Sequence, residues 1–170
     1  MENAEDTMTS LQGNESLKII TELQNNNLVL STRGSVERPH IPHDITGIDD
    51  DELMELWAKV SSYSDFVSTQ VACAQIDEKY AEKNLELEMA KLELSMPKET
   101  KETVSSRKAK IITNPGIEEL QDTLLTRMAY RKLMEVIASS LSKDSALLSR
   151  ELTRRTSSGG FSARTRTLLP

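Results

Sequence analysis

The sequence predicts an all-α protein organised as a long antiparallel helical hairpin of coiled-coil type. Two segments, one from Asp50 to about Leu94 and one from Asn114 to about Arg155, have no Gly or Pro apart from Pro115 and Gly116 at the start of the second. In both, apolar residues return at steps of three and four, which is the period of an amphipathic α-helix. Each arm has roughly 40 residues and so measures about 60 Å at 1.5 Å per residue. Arms of matching length joined by a polar connector favour antiparallel packing.

The first arm is predicted as a helix over 48–95. It opens on the acidic run 49–52, which is typical of an N-cap followed by acids that interact favourably with the helix dipole. Its main apolar stripe is Leu53, Leu56, Val60, Tyr63, Val67, Val71, Ala74, Ala81, Leu85, Met89 and Leu92. A second set widens that face and comprises Trp57, Phe66, Cys73, Ile76, Tyr80 and Leu87. A face this wide indicates contact with more than one neighbouring helix.

The second arm is predicted as a helix over 114–155, after a basic connector at 96–113 that has room for a short helix from Glu99 to about Lys110. Asn114 is a favoured N-cap, and Pro115 suits the first helical position, where a backbone N–H has no partner. Three arginines near 150–155 suit the negative end of the helix dipole.

Both flanks are predicted to lack stable structure. Residues 1–47 form an acidic, mostly disordered head interrupted by breakers, with a possible pair of helical turns from Ser16 to Gln24. Residues 156–170 form a basic, flexible tail that begins with a Ser/Gly-rich stretch.

The composition favours a non-enzymatic protein of the cytoplasm. The single Cys73 excludes an intrachain disulfide, and the sequence shows neither a span of about 20 apolar residues nor a secretory signal. No nucleophile–base pair or phosphate-binding loop is recognisable. His40, His43 and Asp44 lack a further ligand at a familiar spacing, so we predict no metal and no cofactor.

Charge is distributed unevenly along the chain. Residues 1–55 carry twelve acidic and three basic side chains, whereas residues 97–170 carry eight and fourteen. This asymmetry is compatible with head-to-tail self-association, with a polyanionic partner for the basic half, or with mutual screening inside one subunit. If the partner is a nucleic acid, the candidate phosphate-binding residues are Arg107, Lys108, Lys110, Arg127, Arg131, Lys132, Arg154 and Arg155.

The basic half also resembles a known family. The pattern SSRKAKIITNPGIEEL, followed by YRKLMEVIASSL and LLSRELTRR, resembles the UvsY-like recombination mediators of tailed phages. The resemblance implies a helical subunit that oligomerises, binds single-stranded DNA and loads a RecA-like recombinase onto strands covered by single-strand-binding protein. That family places a basic cluster late in its first long helix, whereas here the stretch EKYAEKNLELEMAKLEL alternates Lys with Glu. The connector and the C-terminal arginines would have to replace that cluster.

We therefore expect an oligomeric accessory protein of phage DNA recombination or replication that binds single-stranded DNA, located in the host cytoplasm if a phage encodes it. The alternative is a structural or scaffolding coiled-coil protein that binds no nucleic acid. A third hypothesis is a small regulatory protein that binds one host protein through an exposed apolar seam.

Overall fold

The computed structural model describes residues 14–28, 30, 37–97 and 103–166, with side chains placed up to residue 157. Within these residues there are four helices: α1 (Asn14–Asn25), α2 (Asp50–Ser95), α3 (Val104–Ile112) and α4 (Pro115–Arg166). The fold is an all-α helical hairpin in which α2 pairs with α4, so the predicted fold class is confirmed. The chain divides into two compact units, each of which contains part of both long helices. Unit 1 comprises residues 1–29 and 70–135, and unit 2 comprises residues 30–69 and 136–170.

Short polar contacts begin the long helices where the sequence predicts. The carboxylate of Asp49 accepts the N–H of Glu52 at 2.7 Å at the start of α2. The side chain of Asn114 accepts the N–H of Gly116 at 3.0 Å at the start of α4. Each side chain satisfies one of the donors that have no partner inside a helix, so both helices begin at these caps.

Unit 2 has a core of large aliphatic side chains. Leu53, Val60 and Val67 of α2 are buried at seven-residue intervals, and Leu141 and Leu148 of α4 repeat the same spacing. A seven-residue repeat of buried apolar residues is typical of the knobs-into-holes packing of two helices in a coiled coil. A loop segment adds to this core, because Ile45 is buried there and Ile41 and Ile48 pack against it.

Unit 1 has a smaller and more polar interior. Its buried apolar residues are Cys73, Ala74, Ile111, Ile117 and Met134. A carboxylate and a hydroxyl are buried with them, those of Asp77 and Ser16. Asp77 accepts the backbone N–H of Ser16 at 3.2 Å on one oxygen and the Ser16 hydroxyl at 3.1 Å on the other. Through these contacts α2 holds the N-terminal turn of α1, where a carboxylate is also favoured by the helix dipole.

The prediction for 1–47 is confirmed in one part, because the helical turns expected from Ser16 to Gln24 lie within α1, and the predicted disorder requires a correction. The helix α1 occupies Asn14–Asn25 and is followed by a turn, in which Asn27 has a φ of 59°. This is the left-handed conformation, which Asn tolerates better than most residues. Residues 37–49 form no helix, but Ile45 is buried. Both segments are ordered by contacts with distant parts of the chain, which local composition does not reveal. Residues 1–13 lie outside the described part.

The second correction concerns the C-terminal tail, which was predicted to be flexible from residue 156. The helix α4 continues to Arg166, through Gly159 and Gly160. Each glycine costs about 1 kcal/mol relative to alanine inside a helix, but each added residue also contributes a hydrogen bond, and no proline intervenes before Pro170. The final residues, 167–170, are not among those described, and neither are the predicted connector lysines Lys98 and Lys101.

Candidate functional site: an exposed heptad stripe and the predicted nucleic-acid residues

Arg155, one of the predicted nucleic-acid-binding residues, makes hydrogen bonds that connect two segments of unit 2. Its Nε donates to Glu151 at 2.8 Å, and its Nη1 donates to the Asp50 carboxylate at 2.7 Å and to the Ile48 carbonyl at 2.9 Å. Its Nη2 donates to the carbonyls of Ile45 at 2.9 Å and Thr46 at 3.3 Å. A guanidinium has five N–H groups, and here five acceptors surround it. Arg155 therefore joins α4 to the segment that leads into α2.

Arg154 is held by the same carboxylate. Glu151 is buried, and it accepts from Arg154 Nε at 2.7 Å and from Arg154 Nη2 at 2.6 Å. The hydrogen bonds from Arg154, and then those from Arg155, lower the pKa of the Glu151 carboxyl from 4.5 to about 2. A buried carboxylate needs such partners, because an unpaired charge inside a protein is costly.

Arg131 and Arg107 are also engaged within the chain. Arg131 of α4 pairs with Glu78 of α2 and, at 2.5 Å, with Glu135 one turn further along its own helix. The Glu78 hydrogen bond, followed by that of Glu135, raises the pKa of Arg131. Arg107 donates to the carbonyls of Met96 at 3.3 Å and Pro97 at 3.0 Å, just after the end of α2. Arginines already matched to acceptors release fewer counterions on contact with a phosphate backbone, so they contribute less to DNA affinity.

The remaining predicted residues differ among themselves. Lys108, Lys110 and Lys132 are exposed. Arg127 is half-buried, and its Nη1 has no hydrogen-bond acceptor among the described residues. Lys108 and Lys110 lie two residues apart on α3, so their side chains leave this helix on different sides. Four of the eight predicted residues, all arginines, are hydrogen-bonded to acceptors of the chain itself, as described above.

An exposed apolar stripe lies on the part of α2 that belongs to unit 1. Tyr80, Leu87 and Leu94 are 51%, 47% and 87% exposed, and they follow one another at seven-residue intervals. In contrast, Leu85 and Leu92 of the same helix are partly buried. The helix therefore has an inner apolar face that is covered and an outer apolar face that is not. We call the outer face, with the intervening Lys83 and Ala90, the heptad stripe.

Charged residues border the heptad stripe. Lys83 pairs with Glu86 at 3.0 Å, and Lys91 pairs with Glu88 at 2.5 Å, each along the same helix. All four side chains are at least 44% exposed. Such pairs contribute only a few tenths of a kcal/mol each, so they leave the charges available for other partners.

A groove of about 390 Å³ runs between α2 and α3 beside the stripe. Its floor is apolar, and Met89, Ala90 and Ile111 contribute to it. Glu86, Glu93 and Lys108 also line it, so the exposed Lys108 faces a border with two carboxylates.

Two titratable side chains of unit 1, those of Cys73 and Tyr130, have raised pKa values. Burial, followed by the nearby Asp77 charge, raises the pKa of the Cys73 thiol, which disfavours the reactive thiolate. Burial likewise raises the pKa of Tyr130. Within the described ranges, no group of three or more His, Cys, Asp or Glu side chains is placed to hold a metal ion. None of the described helices combines the length and the apolar character that crossing a membrane requires.

These features define the chain as an all-α helical hairpin with an uncovered heptad stripe. Comparison with protein-family models, with curated proteins and with solved structures gave no match. The resemblance to UvsY-like mediators stays a prediction.

Proposed function

We propose that this protein is a non-enzymatic structural protein that acts by assembling with further copies of itself. The observation that supports this most directly is the exposure of Tyr80, Leu87 and Leu94 at heptad spacing. Burying a leucine side chain that was exposed contributes about 1.5–3 kcal/mol, so a stripe of three large side chains on each copy provides a substantial driving force. An isolated exposed leucine needs no explanation, but a regular stripe marks an interaction site.

The other exposed apolar side chains also favour an interface on unit 1, the unit that carries the heptad stripe. Among the described residues, unit 2 has only Met54, Val136 and Leu147 in this category. Unit 1 has Leu17, Leu28, Tyr80, Leu87, Leu94, Val104, Ile112, Leu125, Met128 and Leu133. Unit 1 is therefore where we expect a partner to bind.

The test is the mass in solution of the full chain with Leu87→Glu and Leu94→Glu. Both residues lie on the outer face of α2, so the substitutions place charges in the proposed interface and leave the buried core unchanged. We expect the wild type to be oligomeric and the double variant to be monomeric by light scattering, with equal helix content by circular dichroism.

The matched control is Leu147→Glu, which charges a leucine of α4 that lies in unit 2 and has the same 47% exposure as Leu87. We expect this variant to remain oligomeric. A monomeric wild type contradicts the proposal, and so does a double variant that keeps the full mass of the oligomer.

The second candidate is the recombination accessory function, with single-stranded DNA as the ligand. The observation that favours it is the pair of exposed lysines, Lys108 and Lys110, on the short helix α3. Through the family resemblance this candidate also implies a RecA-like recombinase and single-strand-binding protein as partners. Its setting is the cytoplasm of the host if a phage encodes the chain.

A salt titration of oligonucleotide binding tests this candidate. Phosphate contacts predict affinity that falls steeply as salt rises, with a smaller slope in Lys108→Glu/Lys110→Glu. Variants of Arg155 are unsuitable for this test, because their effect on folding would obscure any effect on DNA. Absence of binding at low salt by an intact oligomer argues for the structural function alone.

A further inference from the structure

We infer that the heptad stripe of α2 pairs in parallel with the same stripe of a second copy of this chain. The inference rests on the proposed assembly function and adds the partner and its orientation. Because the two stripes are identical, the interface is isologous and closes as a dimer.

The first step is the register of the stripe. With Tyr80, Leu87 and Leu94 as the first position of each heptad, Lys83 and Ala90 occupy the fourth position. These two positions form the seam of a two-helix coiled coil. Lys83, at one of these fourth positions, pairs with Glu86 of the same helix at 3.0 Å. Its aliphatic stem can lie along the seam while its ammonium group stays in water.

The second step is the charge beside the seam. Glu86 precedes Leu87, and Lys91 follows Ala90, so they occupy the two flanking positions of the heptad. In a parallel pair, the flanking residue before one heptad faces the flanking residue five positions later on the other helix. Glu86 of one copy therefore faces Lys91 of the other, and the two-fold symmetry makes this attraction twice.

The third step is the comparison with an antiparallel pair. That arrangement brings Glu86 beside Glu86 or Glu93 of the second copy, and like charges at these positions oppose association. The flanking charges of a coiled coil set its partner and orientation more than its strength. The glutamate–lysine match therefore selects the parallel pair.

The fourth step is accessibility. The side chains of Glu86 and Lys91 are 61% and 68% exposed, and their present ion-pair partners lie three residues away on the same helix. Glu86 and Ala90 also line the groove beside α3, but both residues remain exposed there. A carboxylate has two oxygens, so Glu86 can keep Lys83 and accept Lys91 of the second copy as well.

The experiment is a charge-reversal series on the full chain, read as the dimer dissociation constant by sedimentation equilibrium. Glu86→Lys and Lys91→Glu each turn two attractive contacts into two repulsive ones, and we expect each to raise the dissociation constant about tenfold. The double variant Glu86→Lys/Lys91→Glu restores both attractions with reversed sign, so it should return close to the wild-type value. Glu82→Lys, a charge reversal on the same helix away from the seam, is the matched control and should leave the constant unchanged.

A cysteine at the end of the stripe reports orientation directly. Leu94→Cys places the two thiols side by side in a parallel dimer, whereas an antiparallel dimer separates them by several helical turns. We expect a covalent dimer on oxidation of Leu94→Cys and none from Glu82→Cys. The native Cys73 is buried and does not compete.

The outcomes separate the two proposals. A monomeric wild type overturns both the assembly function and this inference. An oligomeric wild type without rescue in the double variant and without cross-linking at position 94 overturns the parallel pairing alone. That second result assigns the stripe another occupant, such as an antiparallel copy or the exposed face of α4.

Discussion

The two units of this hairpin are made from the same pair of helices, but they satisfy their side chains differently. Unit 2 buries large aliphatic residues such as Leu53, Val60 and Leu148, and its buried Glu151 is matched by two arginines. Unit 1 buries Ile111, Ile117 and Met134 together with the smaller Cys73 and Ala74 and an aspartate, and it leaves ten large apolar side chains exposed among the described residues. Among the described residues, this difference in exposed apolar side chains is the basis of our proposal that a partner binds unit 1.

The largest expected effect is a truncation in the core of unit 2. Leu148 is fully buried, so Leu148→Ala removes apolar contacts and leaves a cavity at a cost of about 2–5 kcal/mol. In unit 1, Cys73→Ala removes a single buried sulfur atom, and we expect a cost of about 1 kcal/mol. Chemical denaturation of the two variants measures both losses in the free energy of unfolding and so checks that the first is larger. Equal losses in the two variants would contradict the difference that we describe between the cores of the two units.

The next effect is the acid sensitivity of unit 2. The pKa of Glu151 is about 2 in the folded protein and 4.5 ordinarily, because Arg154 and Arg155 donate to it. A lowered pKa contributes stability above pH 4.5, and that contribution is lost as the pH falls from 4.5 towards 2. The thermal midpoint of the wild type should therefore drop over this window.

The control for this pH effect is Glu151→Gln, which cannot titrate. The difference between wild type and this variant isolates Glu151 from other carboxyls such as Asp44, whose pKa is also lowered, chiefly by the Thr46 hydroxyl. A difference that stays constant between pH 4.5 and 2 would show that the Glu151 network does not contribute as described.

The smallest effect concerns α1 in unit 1. Ser16→Glu sets a second carboxylate against the buried Asp77 and removes the hydroxyl hydrogen bond, so we expect α1 to detach. Hydrogen exchange across 16–25 should become fast, while α2 and α4 keep their protection. Thr21→Glu, at an exposed position of the same helix, is the control and should leave the exchange pattern unchanged.

The apolar periodicity predicted the long helices well, because the period and the capping residues lie within the sequence of each helix. The caps Asp49 and Asn114 and the three- and four-residue apolar steps are enough to set α2 and the start of α4. The contacts of Arg155 with residues 45–50 join positions more than 100 residues apart, and no local pattern encodes them. The same holds for the contact of Ser16 with Asp77, 61 residues away, which holds α1 on α2. The sequence predicted helical turns from Ser16 to Gln24, but not this contact.

The candidate site was predicted only in part. The wide apolar face predicted for the first arm included Tyr80 and Leu87, which are about half exposed in the structure. That this face contacts more than one neighbouring helix stays a prediction. Leu94 was missed, although its seven-residue distance from Leu87 is a signal present in the sequence. Which side of that face stays open depends on where α3 and α4 pack. The pairing of Arg154 with Glu151 was within reach of sequence reasoning, because three residues separate them on one helix.

The most direct measurement of the central claim is the mass in solution of the wild-type chain beside that of Leu87→Glu/Leu94→Glu. We predict at least twice the 19.0 kDa subunit mass for the wild type and 19.0 kDa for the variant, with the same helix content. A wild-type mass of 19.0 kDa, equal to that of the variant, would contradict the account. The wild type would then be a monomer, and no second copy would cover the heptad stripe.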